Sequence, residues 1–252
     1  MNKAQNRLIA HRGESFDAPE NTLASITLAW ERGAIAVEID VHLTKDEKIV
    51  VIHDNDTLRV SGTKKTIKNS TLDELKLLDI GSHKGKKWEN ERIPTLTEVL
   101  KTVPEQGILI IEIKSNELLL LNKLKYELSV SGLKDFQIMM IDFNLKTLAM
   151  AKQLMPCYKM LWLMSLDYFW PWWLYRVNQR KLFKKLELFN LDGVDVWSGK
   201  FLTKAFIQNL KNEGFLIYCW TVDNRKQAQK LLDFGIDGIT TNRASWMANH
   251  LK

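Results

Sequence analysis

Short runs that are apolar at nearly every position alternate along the chain with stretches whose apolar residues recur at helical spacing. The β-rich runs fall at 8–11, 37–44, 49–53, 108–113, 137–141, 160–164, 193–197, 216–222 and 238–241. Helical periodicity predicts helices over 116–130, 144–155, 204–213 and 224–234. An earlier helix has Leu23, Ile26, Trp30 and Ala34 on one stripe, with Asn21 placed as its N-cap. Gly33, Gly214 and Gly235 stand where helices end. Strand and helix in strict alternation predict a parallel sheet with helices packed outside it.

The strand count decides the architecture. Nine runs are present, but Thr44 and Ile49 are separated by only four residues, 45–48. A parallel crossover needs about a dozen. Residues 37–44 and 49–53 are therefore expected to form an antiparallel hairpin, with Ile49 opposite Thr44, Val51 opposite His42 and His53 opposite Asp40. Removing the return strand leaves eight parallel strands, the number that closes a (β/α)8 TIM barrel. At 252 residues the chain is expected to be one such α/β domain over 1–252, with a core large enough to dispense with disulfides. Two segments fall outside the repeat. Residues 54–94, lysine-rich with weak strand signals, read as a small insertion after the strand-2 hairpin, a lid or subdomain on the catalytic face. Residues 166–185 form a second, aromatic and basic insertion.

The hairpin carries ionisable groups where a purely structural strand would carry threonines. Glu38, Asp40 and His42 share one strand face, and the expected register sets His53 beside Asp40. Buried carboxylates repel one another unless a cation lies between them. Two carboxylates with a titratable histidine suggest a hard-cation site with an acid/base group beside it. Other strand ends add polar groups: His11 and Arg12, then Glu112 and Lys114, and Trp220. All belong to the end of a barrel where active sites form. His42, two residues farther out than Asp40, reads as a bystander.

The formal net charge of +6 suits an anionic substrate or an anionic lipid surface better than duplex DNA, and no nucleic-acid-binding signature is present. Cys157 and Cys219 lack metal-site spacing and read as reduced core thiols. The opening residues show no secretory leader, so a cytoplasmic location is expected.

Taken in order, these blocks resemble the glycerophosphodiester phosphodiesterase family. His11-Arg12-Gly13 followed by Pro19-Glu20-Asn21-Thr22 is similar to its first signature. Glu38-x-Asp40-Val41, Thr44-Lys45-Asp46 and His53-Asp54 are similar to its second. Glu112-x-Lys114, Trp220-Thr221-Val222-Asp223 and residues 235–241 resemble later blocks. The resemblance implies a metal-dependent barrel that cleaves phosphodiesters to glycerol 3-phosphate and an alcohol. It implies Glu38, Asp40 and Glu112 as ligands of a divalent cation, Mg2+ or Ca2+, and His11 and His53 as the acid/base pair. Arg12 and Lys114 would hold phosphate oxygens, Glu20 would support Arg12 or the metal shell, and Trp220 would face the substrate. Asn21 needs to do no more than cap its helix. The first nucleophile is water or the substrate's own hydroxyl. Where the family's hairpin loop usually carries glycine, this chain has Glu47.

Two other readings remain open. The same chemistry could act on lysophospholipids at a membrane, as a lysophospholipase D, with peripheral contact to the inner face through 167–186. There Tyr168, Phe169, Trp170, Trp172, Trp173 and Tyr175 precede Arg176, Arg180, Lys181, Lys184 and Lys185. Alternatively, a non-enzymatic barrel could bind phospholipid headgroups, but that would call for a damaged constellation, and none of the residues is replaced.

Overall fold

The computed structural model describes residues 5–165, 179–200 and 202–251. The first half of the chain runs β1 (Leu8–His11), α1 (Leu23–Glu31), β2 (Ala36–Leu43), β3 (Ile49–Val51), α2 (Leu58–Ser61), α3 (Leu72–Lys76), α4 (Leu96–Leu100), β4 (Ile108–Ile113) and α5 (Leu118–Val130). It continues through β5 (Ile138–Asp142), α6 (Leu145–Leu154), β6 (Lys159–Met164), α7 (Gln179–Leu188), β7 (Gly193–Trp197), α8 (Lys204–Asn212), β8 (Leu216–Trp220), α9 (Arg225–Asp233), β9 (Gly238–Thr241) and α10 (Ala244–His250). Eight of the strands pair in parallel around a closed ring, β1-β2-β4-β5-β6-β7-β8-β9, and β3 pairs antiparallel to β2 outside it. The expected barrel is the one that forms.

Closure explains why β2 is buried at every position. One face (Val37, Ile39, Val41) packs under the helices with Leu96, Leu120 and Leu124, and the other faces the barrel axis. Each fully buried aliphatic side chain contributes roughly 1.5–3 kcal/mol relative to exposure. The barrel interior is filled from below by Ile9, Ala36, Ile110, Met139 and Leu161, so the barrel is a packed core with its opening at the C-terminal strand ends.

The hairpin forms, with its register one residue from the expected one. Leu43 pairs with Ile49, His42 with Val50 and Val41 with Val51. Thr44 has left the ladder and become part of the turn. Its N–H donates to Lys48 O at 2.9 Å, and its hydroxyl donates to Asp46 Oδ1 at 2.7 Å and accepts from Lys48 N at 2.9 Å. The loop is thus one residue longer, and Ile52, not His53, lies against Asp40, through Ile52 N–H to Asp40 O at 3.0 Å.

A second difference concerns α1. Its N-cap is Thr22, whose hydroxyl accepts from Ser25 N while Ser25 Oγ accepts from Thr22 N. Asn21 stands one residue earlier, with φ +56°, and is free to point elsewhere. Gly13 is required nearby: it has φ +82°, and a Cβ there would lie 2.5 Å from Ser25. Cys219 is buried as expected, but Cys157 is exposed, in the turn between α6 and β6.

Residues 54–94 build a small core of their own. Val60, Ile67, Leu75, Ile80 and Ile93 pack against Val50 and Ile52 of the hairpin arm. The segment also docks on the loop after β1, where Lys84 Nζ donates to Ser15 O at 2.7 Å and Trp88 Nε1 to Asp17 O at 3.1 Å. Residues 166–178, which include the tryptophans of the aromatic run, lie outside the described residues. No helix among the described residues is long and apolar enough to cross a membrane.

Glu47 sits in the hairpin turn with φ +61°, a left-handed conformation that costs an L side chain about 1–2 kcal/mol. Its ion pair with Lys123, at 2.8 Å, is too exposed to offset that. Glu47→Gly is expected to raise stability by up to about 1 kcal/mol, after allowing for glycine's greater unfolded-state freedom, and to leave turnover unchanged. Urea unfolding monitored by tryptophan fluorescence checks this, and a lower midpoint contradicts it.

Candidate active site

At the C-terminal ends of the strands lies a cavity of about 110 Å³. His11, Arg12, Glu38, His53, Glu112, Lys114 and Trp220 all line it. Asp40 is fully buried just behind, and Glu20 stands beside the rim, bonded to Arg12. The strand ends bring together residues spread over more than 200 positions of sequence.

Glu38, Asp40 and Glu112 each offer a carboxylate oxygen within 4.8 Å of the others. Adjacent strands cause this: the β2–β4 register sets Asp40 beside Glu112, and Glu38 is two residues back on the same face. Protein donors already hold one oxygen of each. Glu38 Oε2 accepts from Arg12 N at 3.0 Å; Asp40 Oδ2 accepts from Asn21 Nδ2 at 2.8 Å; Glu112 Oε1 accepts from Lys114 Nζ at 2.7 Å. Glu38 Oε1 and Asp40 Oδ1 are buried with no hydrogen-bond partner among the described residues. Three hard oxygen donors, two of them with an unpaired buried atom, fit a divalent cation.

The acids divide electrostatically. Burial, then Asp40 and Glu112, pushes Glu38 well above the usual carboxylate range. Burial and Asp40 lift Glu112 to about 7. Burial opposes the charge on Asp40 as well, but Arg12 and Lys114, at 3.2 and 3.4 Å, outweigh it and hold Asp40 at about 2.

The two histidines are held differently. His11 Nδ1 lies 2.7 Å from Asn242 Oδ1, which also accepts the Ser15 hydroxyl at 3.1 Å. Asn242 Nδ2 donates to Asp223 Oδ2 at 2.6 Å, which fixes the amide's orientation. Nδ1 of His11 must then carry the proton, and Nε2 is left as a lone pair. Burial and the Arg12 charge push His11 down to about 4, so the ring is neutral at physiological pH. His53 lies past the end of β3, with its Nδ1 2.7 Å from Asp54 Oδ1. Arg59 Nε fixes Asp54 at 2.6 Å, and Arg59 also forks onto both oxygens of Glu20 at 2.7 and 2.8 Å. Those Arg59 bonds, with Arg12, hold Glu20 at about 2 against its burial. His42 Nε2 bonds His53 O at 3.1 Å and supports the backbone there.

Several site residues escape sequence reasoning. Asn21 reads as a helix cap, yet its amide binds Asp40. Asn242 was legible in principle, because the β1–β9 register that sets Ala10 beside Thr241 carries forward to His11 and Asn242. Asp195, Phe143 and Leu163 line the cavity from the far side and had no motif to mark them.

Comparison with known proteins places these features in context. Residues 11–245 match the model of the glycerophosphoryl diester phosphodiesterase family. A glycerophosphodiester phosphodiesterase of Caldanaerobacter subterraneus is 32% identical over 247 residues, covering 96% of each chain. The structure of an Oleispira antarctica phosphodiesterase in complex with the product sn-glycerol-3-phosphate superposes with a TM-score of 0.86 at 29% identity, covering 96% of this chain and 95% of that one. A Thermotoga maritima glycerophosphodiester phosphodiesterase gives a TM-score of 0.77 at 25% identity, covering 96% of each chain.

A cation should compete with protons for the acidic cluster. Glu112's folded-state pKa lies above its ordinary 4.5, at about 7. Its protonated form therefore contributes stability that is full below about 4.5 and lost as pH rises through about 7. A divalent cation replaces that proton, so the increase in Tm given by Mg2+ or Ca2+ over EDTA should be larger at pH 8 than at pH 5. Equal increments at the two pH values would show that the ion binds elsewhere.

Proposed function

The chain belongs to the glycerophosphoryl diester phosphodiesterase family and is a phosphoric diester hydrolase, and on that premise we propose that it cleaves glycerophosphodiesters to glycerol 3-phosphate and an alcohol by two-histidine acid/base catalysis at a divalent-cation site. The observation that carries this reading is the placing of two imidazoles, each anchored at Nδ1, in one cavity with a three-carboxylate cluster.

Glu38, Asp40 and Glu112 would hold the cation, Mg2+ or Ca2+, and when bound it would neutralise charge developing on the phosphoryl oxygens. Arg12 has one Nη on Glu20 and its Nε toward Asp40, and its remaining N–H donors serve a phosphate oxygen. Lys114 supplies a point charge beside Glu112. His11, neutral with a lone pair on Nε2, takes the proton of the attacking water as its oxygen bonds to phosphorus. His53 delivers a proton to the alcohol oxygen as the phosphorus–oxygen bond to it breaks, with its ring oriented through Nδ1 by the Asp54 carboxylate. Trp220, edge-on to Phe143 at 5.6 Å, packs the carbon skeleton. A larger cavity of about 300 Å³ opens on the other side of Lys114, lined by His42, Asn55, Thr66, Lys68 and Glu117. It supports the reading of 54–94 as an inserted lid or subdomain on the catalytic face.

Removing either ring, by His11→Ala or His53→Ala, should lower kcat on the order of 10²–10⁴-fold while divalent-cation affinity, followed by calorimetry, is kept. The double variant should lose less than the product of the single losses, because both rings serve one step. Glu112→Gln should instead weaken cation binding; unchanged affinity and activity in that variant removes Glu112 from the ligand set.

A second reading keeps the chemistry and moves it to a lipid surface, with lysophospholipids as substrates. It is supported by exposed apolar side chains around the catalytic rim, Phe16, Leu58, Leu118, Phe143 and Trp197. Arg180, Lys184 and Lys185 on α7 add positive charge. Each basic residue near an anionic surface is worth roughly 1 kcal/mol. The protein should sediment with anionic vesicles at low salt, and Leu58→Ser with Leu118→Ser should reduce this while soluble diesters are still turned over. Protein left in the supernatant at low salt defeats the reading.

A further inference from the structure

The barrel carries an acid that neither the fold nor the chemistry so far described uses. Asp195 on β7 is 2% exposed, and its Oδ1 is buried without a hydrogen-bond partner among the described residues. Trp220 on the neighbouring strand β8 also has its Nε1–H buried with no hydrogen-bond partner among the described residues. Both residues line the active-site cavity. The other unpaired atoms of cavity-lining residues are accounted for. Glu38 Oε1 faces the cation site, and Arg12 Nε lies 3.2 Å from Asp40 Oδ2. One acceptor and one donor remain.

Their position in the ring is informative. Strand β7 lies four strands from β2 in either direction, directly across the barrel from Glu38 and Asp40. The register pairs Asp195 with Tyr218 and Trp197 with Trp220, so Asp195 and Trp220 are diagonal neighbours on adjacent strands. Around them the wall is apolar: Ile141, Phe143 and Leu163. A molecule bound with its phosphoryl group at β2 and β4 therefore extends a carbon skeleton toward this wall, and meets two isolated polar groups there. An unpaired buried carboxyl destabilises a fold, so its retention points to a ligand that pairs with it.

We propose that Asp195 Oδ1 and the Trp220 indole N–H form a hydroxyl subsite for the glycerol arm, and that Asp195 makes the enzyme selective for diesters whose arm carries a free hydroxyl. This rests on the glycerophosphodiester reading above. The hydroxyl donates to Asp195, and its oxygen accepts from Trp220. Asp195 accepts at Oδ1 in either protonation state. A diester whose arm lacks the hydroxyl leaves both groups unpaired, and sites of this kind discriminate against such analogues.

The test compares glycerophosphoethanolamine with its propyl analogue, identical except that the two glycerol hydroxyls are absent. The wild type should prefer the former. Asp195→Leu should cut the ratio of kcat/KM for the two substrates by about 10- to 100-fold, mainly through the glycerol substrate. Asp195→Asn, which keeps an acceptor oxygen, should retain most of the preference. Asp195→Leu should also melt at or above the wild-type temperature, because it removes an unpaired buried acid, and its Ca2+ or Mg2+ affinity should be unaltered. If it does not refold, Asp195→Ala carries the same substrate comparison. A preference ratio unchanged in the Leu or Ala variant overturns the subsite. A weakened cation affinity with the ratio intact also overturns it and reassigns Asp195 to the metal. A wild type that turns over neither glycerophosphodiester nor analogue fails the functional reading itself, an outcome distinct from a preference that survives the substitution.

Discussion

Mutual repulsion among Glu38, Asp40 and Glu112 is the constraint around which the active end of this barrel is arranged. Unit charges at 4.8 Å, the upper limit for these oxygens, repel by roughly 3–4 kcal/mol per pair at an effective dielectric near 20. The protein counters with two cations, Arg12 and Lys114, and two neutral donors, the Asn21 amide and the Arg12 backbone N–H. Fully ionised, this inner group still carries one net negative charge. A divalent cation takes it to plus one, and a monoanionic diester then brings it to neutrality. By charge count, a cation and an anionic diester would each favour the other's binding, and without them burial and mutual repulsion favour the protonated forms of Glu38 and Glu112.

The barrel delivers this arrangement through adjacency. β1, β2 and β4 are neighbours in the closed ring, so His11, the paired acids and Lys114 converge with no loop having to travel far. The backbone after β1 turns through a left-handed Arg12 at φ +56°, which directs its N–H at Glu38. Gly13 then lets the chain pass against Ser25. His53 reaches the cavity from a segment outside the ring. It follows the β3 return strand and is held by Asp54, which Arg59 fixes in turn, both from 54–94. The Arg59–Glu20–Arg12 chain of ion pairs links that insertion to the cluster. A shift of this segment would therefore move both His53 and Arg12.

The barrel and most of its charged site were legible because both follow from simple periodicities. Alternation of apolar runs fixed the strands, a short loop identified the hairpin, and strand-face alternation grouped Glu38 with Asp40. What escaped depended on single-residue geometry. The hairpin slipped by one because the Thr44 hydroxyl satisfied the turn's own backbone, a competition invisible in hydrophobic pattern. His53 lines the cavity because the chain leaves the ladder after Val51, not through the expected pairing with Asp40. Asn21 looked like a helix cap since asparagine favours both caps and left-handed turns, and only the structure shows Thr22 capping. Asp195 lies in Gly193–Trp197, a strand whose inward face could be read but whose depth in the barrel could not.

The cavity is divided in a way that neither half explains alone. On the β1, β2 and β4 side every buried charge has a partner or a place in the three-carboxylate cluster. On the β5 to β8 side the wall is largely hydrocarbon and indole, and Asp195 Oδ1 and Trp220 Nε1 there have no hydrogen-bond partner among the described residues. A phosphate ester with a short carbon arm has the same division, an anionic head and a largely apolar skeleton bearing few hydroxyls. A wholly apolar tail would suit the second wall only if Asp195 were absent, since burying it against hydrocarbon leaves its carboxyl without any partner. The unpaired acid thus argues that what fills that side of the barrel is short and hydroxylated, and that any longer alkyl portion of a substrate must lie on the far side of the phosphate, toward the larger cavity beyond Lys114 or the apolar rim.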